Sequence, residues 1–136
     1  MSAKPVRPLV LGVETSCDET SVAVLDGHNR ILGHVILSQD VHEVFGGVVP
    51  ELAARAHLQR IDAVVQEALQ RAGVGLDEMD VLGVTAGPGL IGALLVGVSW
   101  TKAAATCARS ASRAPSSSIP RTSSVTAVLS PENEKS

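Results

Sequence analysis

The sequence predicts an α/β domain in which a meander of three β-strands is followed by a helix, a fourth strand and a second helix. Hydrophobic residues make up 45% of the 136 residues, which is enough for a packed core and excludes disorder of the whole chain. That core is aliphatic, because the chain contains one Phe, one Trp and no Tyr. The apolar pattern is that of short strands up to residue 37 and that of a helix from residue 52 onward.

Three short apolar runs predict the meander. Residues 8–13 form the first run, the polar stretch 14–20 separates it from the second at 21–25, and residues 31–37 form the third. Residues 26–29 have the composition of a tight turn. Successive runs joined by such turns pair as antiparallel hairpins.

Two helices and one further strand follow the meander. Pro50 suits the first turn of a helix, apolar residues then recur at three-and-four spacing, and Gly73 ends the pattern. Residues 81–85 predict a buried strand and 90–107 a second helix, joined by a glycine-rich bend. The order β-β-β-α-β-α is that of a ribonuclease-H-like half-domain, in which a meander and one parallel strand share a sheet covered by helices.

Composition divides the chain into three parts. All twelve glycines lie between Gly12 and Gly97, whereas nine of the fourteen serines lie after residue 107 and three prolines interrupt any long element there. We therefore expect a leader at 1–7, a folded lobe at 8–107 and a disordered tail at 108–136.

Charge, cysteine content and hydropathy limit the function classes. The net charge is −3 and aromatic residues are nearly absent, so neither a strongly basic patch nor a base-stacking surface is predicted. Cys17 and Cys107 are too few for a disulfide framework, which favours a reducing, cytoplasmic setting. No signal-peptide hydrophobic region follows Arg7, and glycines and Pro88 interrupt the uncharged stretch 81–100, which argues against a membrane span.

The polar stretch between the first two runs is the first candidate site. Thr15, Ser16 and Thr20 supply hydroxyls there, and Asp18 and Glu19 supply carboxylates. A hairpin turn of this composition can hold a phosphate through backbone N–H groups and hydroxyls, while a carboxylate holds a cation or orients water. The alternative is a solvated turn whose polar side chains bond to their own backbone.

The glycine-rich bend is the second candidate site. Gly87, Gly89 and Gly92 have G-x-G-x-x-G spacing between a predicted strand and a predicted helix, where backbone amides can approach a phosphate. The acid that a dinucleotide site needs about 20 residues further on is missing. Tight packing of the second helix against the sheet is therefore the alternative.

No metal site is predicted within this chain. No pair among the four histidines lies four residues apart. His42 and Glu43 begin like a zinc-protease motif, but Gly46 occupies the place of its second histidine. His57 is interpreted as a surface or core histidine of the first helix.

Three blocks together closely resemble one family. They are VLGVETSCDETSVAV at 10–24, FGGVVPELAARAH at 45–57 and TAGPGLIGALLVG at 85–97. The sequence resembles the tRNA threonylcarbamoyltransferase family, called TsaD or Gcp in bacteria and formerly labelled an O-sialoglycoprotein endopeptidase. Three long blocks in the right order are far more specific than any short motif.

The resemblance implies the actin/hexokinase/Hsp70 (ASKHA) type of fold, of which this chain would supply an incomplete first lobe. It also implies transfer of threonylcarbamoyl from threonylcarbamoyl-AMP to N6 of the adenosine beside the tRNA anticodon, giving t6A. By resemblance, Asp18 and Glu19 face the cleft that takes the adenylate, with Thr15, Ser16 and Thr20 around them. Either Asp18 holds a cation or water near the phosphate, or Glu19 accepts the proton of the adenine amine.

The resemblance further implies partners and a metal. The implied partners are a paralogous t6A subunit bound through this lobe, an ATPase subunit, the adenylate and tRNA. In the full-length family a His-x-x-x-His pair after another strand binds an iron or zinc-type divalent metal, and nucleotide-binding loops and a second lobe follow. This sequence has none of these after its second helix, so we expect an inactive, truncated transferase chain.

Two further interpretations concern the tail and the function. A shift of reading frame near residue 105 is a hypothesis for the change in composition, since a second frame over 120–126 can encode Ala-His-Leu-Val-Gly-His with the family's histidine spacing. A non-catalytic partner subunit of the t6A complex is the alternative function. The older metallopeptidase label is disfavoured, because no histidine pair or nucleophile constellation is present.

Overall fold

The computed structural model describes residues 4–112 and 125–129. Within these residues the strands are β1 (Val10–Glu14), β2 (Glu19–Leu25), β3 (Ile31–Ser38), β4 (Val81–Thr85) and β5 (Val125–Leu129), and the α-helices are α1 (Pro50–Ala72) and α2 (Ile91–Ser112). Short 3-10 helices lie at Asp40–Phe45 and Leu76–Glu78. The predicted β-β-β-α-β-α order is confirmed, with β2 beginning two residues earlier than expected, at Glu19.

One mixed sheet carries all five described strands, in the order β3-β2-β1-β4-β5. β2 pairs antiparallel with β1 and β3, which is the predicted meander. β4 pairs parallel with β1, and Val10 lies opposite Val81. Because β1 and β4 run in the same direction, their carboxyl ends meet at one edge of the sheet.

Both helices pack on one face of this sheet and build the aliphatic core with it. Buried side chains of β1, β2 and β4 meet those of α1 and α2 in a single cluster, which includes Leu11, Val22, Val24, Ile61, Val65, Leu82 and Ala105. Burying each large aliphatic side chain stabilises the fold by about 1.5–3 kcal/mol. Gly73 ends α1 as predicted, with a left-handed backbone and its N–H bonded to the Gln70 carbonyl oxygen at 3.2 Å.

The two helices lie side by side and run in the same direction. Gly92 of α2 lies against Ala54 of α1, and further along both helices Trp100 Nε1 donates to Asp62 Oδ1 at 2.8 Å. None of the helices in the described part of the chain combines the length and the hydropathy that crossing a bilayer requires.

The structure departs from the predicted disorder of 108–136 in two stretches. Helix α2 continues to Ser112, and Val125–Leu129 forms β5, which pairs parallel with β4. The run Val-Thr-Ala-Val-Leu has strong β propensity, and β4 would otherwise end the sheet with unpaired backbone groups, so pairing satisfies both strands. The remainder of the predicted tail, and residues 1–3 of the predicted leader, lie outside the described residues.

Candidate functional site

The two segments singled out from the sequence meet at the carboxyl ends of β1 and β4. The turn after β1 and the bend after β4 are joined by a hydrogen bond from Leu90 N–H to the Ser16 carbonyl oxygen at 2.8 Å. Gly89 lies so close that a Cβ atom added to it would be 2.6 Å from the same oxygen. In sheets with parallel strands, ligands bind outside such carboxyl ends, so the two predicted loops form one candidate site.

Glu14, the last residue of β1, connects these segments. Its Oε1 accepts the Ser16 N–H at 2.6 Å, and its Oε2 accepts the hydroxyl of Thr85 at the end of β4. Burial by itself would raise the pKa of Glu14, but the hydrogen bonds from Ser16 and Thr85 outweigh it and lower the pKa below its usual value. The carboxylate is therefore ionised at neutral pH. Glu14 is not among the site residues predicted from the sequence, which places it in the polar stretch after the first strand, whereas the structure places it at the end of β1.

Thr15 is a packing residue and not the phosphate contact that the sequence suggested. Its side chain is fully buried. The hydroxyl donates to the Ala93 carbonyl oxygen at 2.7 Å and accepts the Gly97 N–H at 3.1 Å, both on α2. A Cβ atom on Gly97 would collide with the Thr15 hydroxyl. Thr15 therefore fixes α2 to the end of β1, and its buried hydroxyl is not accessible to a ligand.

Thr20 is likewise turned into the core and is not available to a phosphate. It is fully buried, and its hydroxyl lies 2.7 Å from His57 Nδ1 of α1. His57 Nε2 lies 2.7 Å from the Cys17 carbonyl oxygen. His57 is thus a buried core histidine, in agreement with the interpretation from the sequence.

Asp18 and Glu19 are adjacent in sequence but have different surroundings. Asp18 is half-buried in the turn, where its carbonyl oxygen accepts the Gln39 N–H at 3.1 Å. Glu19 is exposed at the start of β2, and its carboxylate accepts the Ser38 hydroxyl at 3.2 Å. Since side chains alternate along a strand, Glu19 faces away from the side on which Thr20 meets α1.

The remaining candidate residues differ in how open their surroundings are. A Cβ atom on Gly87 would meet nothing within 4 Å, in contrast to Gly89. Ser16 is half-buried. Cys17 is exposed, but desolvation and the charge of Asp18 raise its pKa, so it is a neutral thiol and not a nucleophile at neutral pH. Ser16 and Asp18 are thus only half-buried, and the space beside Gly87 is open.

A metal has no evident ligand set in the described part of the chain. Residues 4–112 and 125–129 bring together no three His, Cys, Asp or Glu side chains that could hold an ion. The divalent metal implied by the resemblance is therefore not matched by these residues, and no step is assigned to it.

Comparisons with known proteins agree on one family. The family model "TsaD: tRNA N6-adenosine threonylcarbamoyltransferase" matches residues 30–110. A protein of that name from Rhizobium etli is 55% identical over 106 residues, covering 74% of this chain and 29% of the relative. Another from Geobacillus thermodenitrificans is 56% identical over 97 residues, covering 71% and 28%. The chain thus spans less than a third of the length of these relatives.

Solved structures support the fold alone. YeaZ from Pseudomonas aeruginosa has a TM-score of 0.64 and 19% identity, covering 91% of this chain and 43% of YeaZ. A second structure, of a protein described as similar to the peptidase YeaZ from Pseudomonas aeruginosa, has a TM-score of 0.60 and 21% identity, covering 91% and 44%.

Proposed function

The chain belongs to the tRNA N6-adenosine threonylcarbamoyltransferase family, and on this premise we propose that it supplies one wall of the transferase active site. The observation that carries the proposal is the meeting of the turn after β1 with the bend after β4, around the ionised Glu14. A site at the carboxyl ends of parallel strands is the place where such a sheet takes a nucleotide-like substrate.

The proposed reaction moves the threonylcarbamoyl group from threonylcarbamoyl-AMP to N6 of the tRNA adenosine. The bond between the carbamoyl carbon and the phosphate oxygen breaks, a bond from that carbon to N6 forms, and AMP leaves while N6 loses a proton. In one alternative, Glu19 accepts this proton. In the other, Asp18 holds a water or cation near the phosphate.

The proposed phosphate position lies beside Ser16 and Gly87, where the site is open. Glu14 constrains how a phosphate approaches, because two negative groups repel each other. The phosphate therefore binds on the side away from Glu14, through the Gly87 backbone N–H and the Ser16 hydroxyl, since the Leu90 N–H is already bonded to the Ser16 carbonyl oxygen. Thr15, Thr20 and Gly89 take no part in binding and only shape the two segments.

We further propose that this chain alone is inactive, since it spans 29% of the Rhizobium etli relative and the rest of that protein would supply the opposite wall. The proposed partners are tRNA, the adenylate, an ATPase subunit and a paralogous subunit that binds this lobe in the cytoplasm. Leu58 of α1 and Ile91 and Leu95 of α2 are more than half exposed on the adjoining helices, which supports a protein partner at this face. Because this exposed apolar surface would also suit a non-catalytic partner subunit, that role is the second candidate function.

A chimera tests the transferase proposal. Residues 8–107 replace the matching segment of the Rhizobium etli relative, and t6A formation is measured with tRNA and threonylcarbamoyl-AMP. We expect the isolated chain to give no t6A and the chimera to be active. Asp18→Asn or Glu19→Gln should lower kcat at least about 100-fold, the usual contribution of a general acid or base. Glu67→Gln, on the exposed side of α1, is the matched control.

Two results would contradict this proposal. A correctly folded chimera without activity would favour the non-catalytic partner. Full activity of both Asp18→Asn and Glu19→Gln would remove the proposed site from the reaction.

A further inference from the structure

His57 is a buried titratable group that the proposed reaction leaves without a role. It lies on α1 and is fully buried, although its neighbour Leu58 is 67% exposed. Both ring nitrogens have partners at 2.7 Å, namely the Thr20 hydroxyl at Nδ1 and the Cys17 carbonyl oxygen at Nε2.

The chemistry of these partners fixes the tautomer. A carbonyl oxygen can only accept, so Nε2 carries the proton that is donated to Cys17. In the neutral ring Nδ1 is then an acceptor, and the Thr20 hydroxyl donates to it. The ring can make both bonds in only one orientation, so it is locked relative to the loop.

The two partners lie at the two ends of the segment that carries the acids. Cys17 comes directly before Asp18, and Thr20 directly after Glu19. We propose that His57 is a positioning residue, which holds both ends of this segment against α1 and thereby fixes where Asp18 and Glu19 stand. Its bearing on catalysis rests on the proposed function, whereas its effect on the loop does not.

The loop can be observed directly through two amides that donate to it. Gln39 N–H donates to the Asp18 carbonyl oxygen, and Leu90 N–H donates to the Ser16 carbonyl oxygen. Loosening of the segment should accelerate hydrogen exchange at these amides, because local opening exposes them without global unfolding. Exchange is therefore measured on the unmodified chain and its variants, in the absence of any substrate.

Three variants separate positioning from general stability. His57→Leu removes both bonds and should accelerate exchange at Gln39 and Leu90 about tenfold relative to amides in the middle of β1 and β4. His57→Gln carries an acceptor and a donor at similar spacing, and should restore exchange to within about threefold of the original chain. Val64 lies on the buried side of α1, away from the loop. Val64→Ala should accelerate exchange in the core without a larger effect at the Gln39 and Leu90 amides.

A spectroscopic measurement covers the case in which His57→Leu does not fold. The ¹⁵N shifts of His57 in the original chain should be those of a ring that carries a proton at Nε2. Protonation at Nδ1 alone would overturn the proposal, as would equal acceleration at all amides in His57→Leu or no rescue by His57→Gln. If the chimera lacks activity while exchange behaves as expected, the proposed function fails and the positioning role stands.

Discussion

Gly89 and Gly87 provide a matched pair that tests why the bend contains glycine. In the sequence both belong to the same spacing motif, which predicts phosphate binding for both. In the structure a Cβ atom on Gly89 would lie 2.6 Å from the Ser16 carbonyl oxygen and 2.8 Å from the Ser16 Cβ, whereas one on Gly87 would meet nothing within 4 Å. Gly89→Ala should therefore destabilise the protein, and Gly87→Ala should not.

The expected magnitude follows from the contacts. Overpacking a close contact costs about 1–3 kcal/mol, because here the backbone of Ser16 cannot move aside without disturbing β1. Part of this cost is the hydrogen bond from Leu90 N–H to Ser16, which is worth about 1 kcal/mol. We expect Gly89→Ala to lower the free energy of unfolding by about 2 kcal/mol, and the Tm by roughly 8–16 °C. Gly87→Ala should stay within about 0.5 kcal/mol of the original chain.

Trp100 makes the measurement simple. It is the single tryptophan of the chain, and its hydrogen bond to Asp62 joins α2 to α1. Urea unfolding followed by its fluorescence, with circular dichroism as a second probe, gives the free energy of unfolding for each variant. Equal stability of Gly89→Ala and the original chain, or equal loss in both variants, would refute the packing explanation.

Two further predictions concern buried polar groups. Thr15→Val removes the hydrogen bonds to Ala93 and Gly97 and should lower the free energy of unfolding, measured in urea, by about 1–3 kcal/mol. Thr15→Ser keeps the hydroxyl and should lose less stability. Equal losses in the two variants would contradict the role of the hydroxyl. The Arg30 guanidinium lowers the pKa of Asp26 from 3.8 to about 2. The ionised Asp26 therefore stabilises the folded state fully above pH 3.8, and this contribution to the free energy of unfolding is lost as the pH falls toward 2. Asp26→Asn should weaken the decline in Tm between pH 4 and 2, and an unchanged pH profile would contradict this.

The sequence predicted the elements well because their signals are local. Short apolar runs mark β1 and β2, three-and-four spacing marks α1, and a glycine at position 73 marks its end. The run at Val125–Leu129 was assigned to a disordered tail because its flanks are rich in serine and proline. Its pairing with β4 depends on a free sheet edge, which no local pattern reveals.

The candidate site was predicted in part. The sequence predicts the two segments as separate sites. Ser16 and Leu90 are 74 residues apart in the chain, and the parallel pairing of β1 and β4 brings them within hydrogen-bond distance. It also grouped Thr15 and Thr20 with Ser16 because all three carry hydroxyls. Only tertiary contacts distinguish a hydroxyl that faces a ligand from one that faces a helix.

The sequence by itself therefore determined the order of the elements, the aliphatic core and the family resemblance, because these depend on residue types and on spacing along the chain. The tertiary structure decided which polar groups are free. The Thr15 hydroxyl is bonded to residues 78 and 82 positions away, and the pKa of Glu14 is lowered because Ser16 and Thr85 both donate to its carboxylate. Such partners are brought together by the packing of α2 and β4 on β1, and a side chain's chemistry at a site is set by the neighbours that packing gives it.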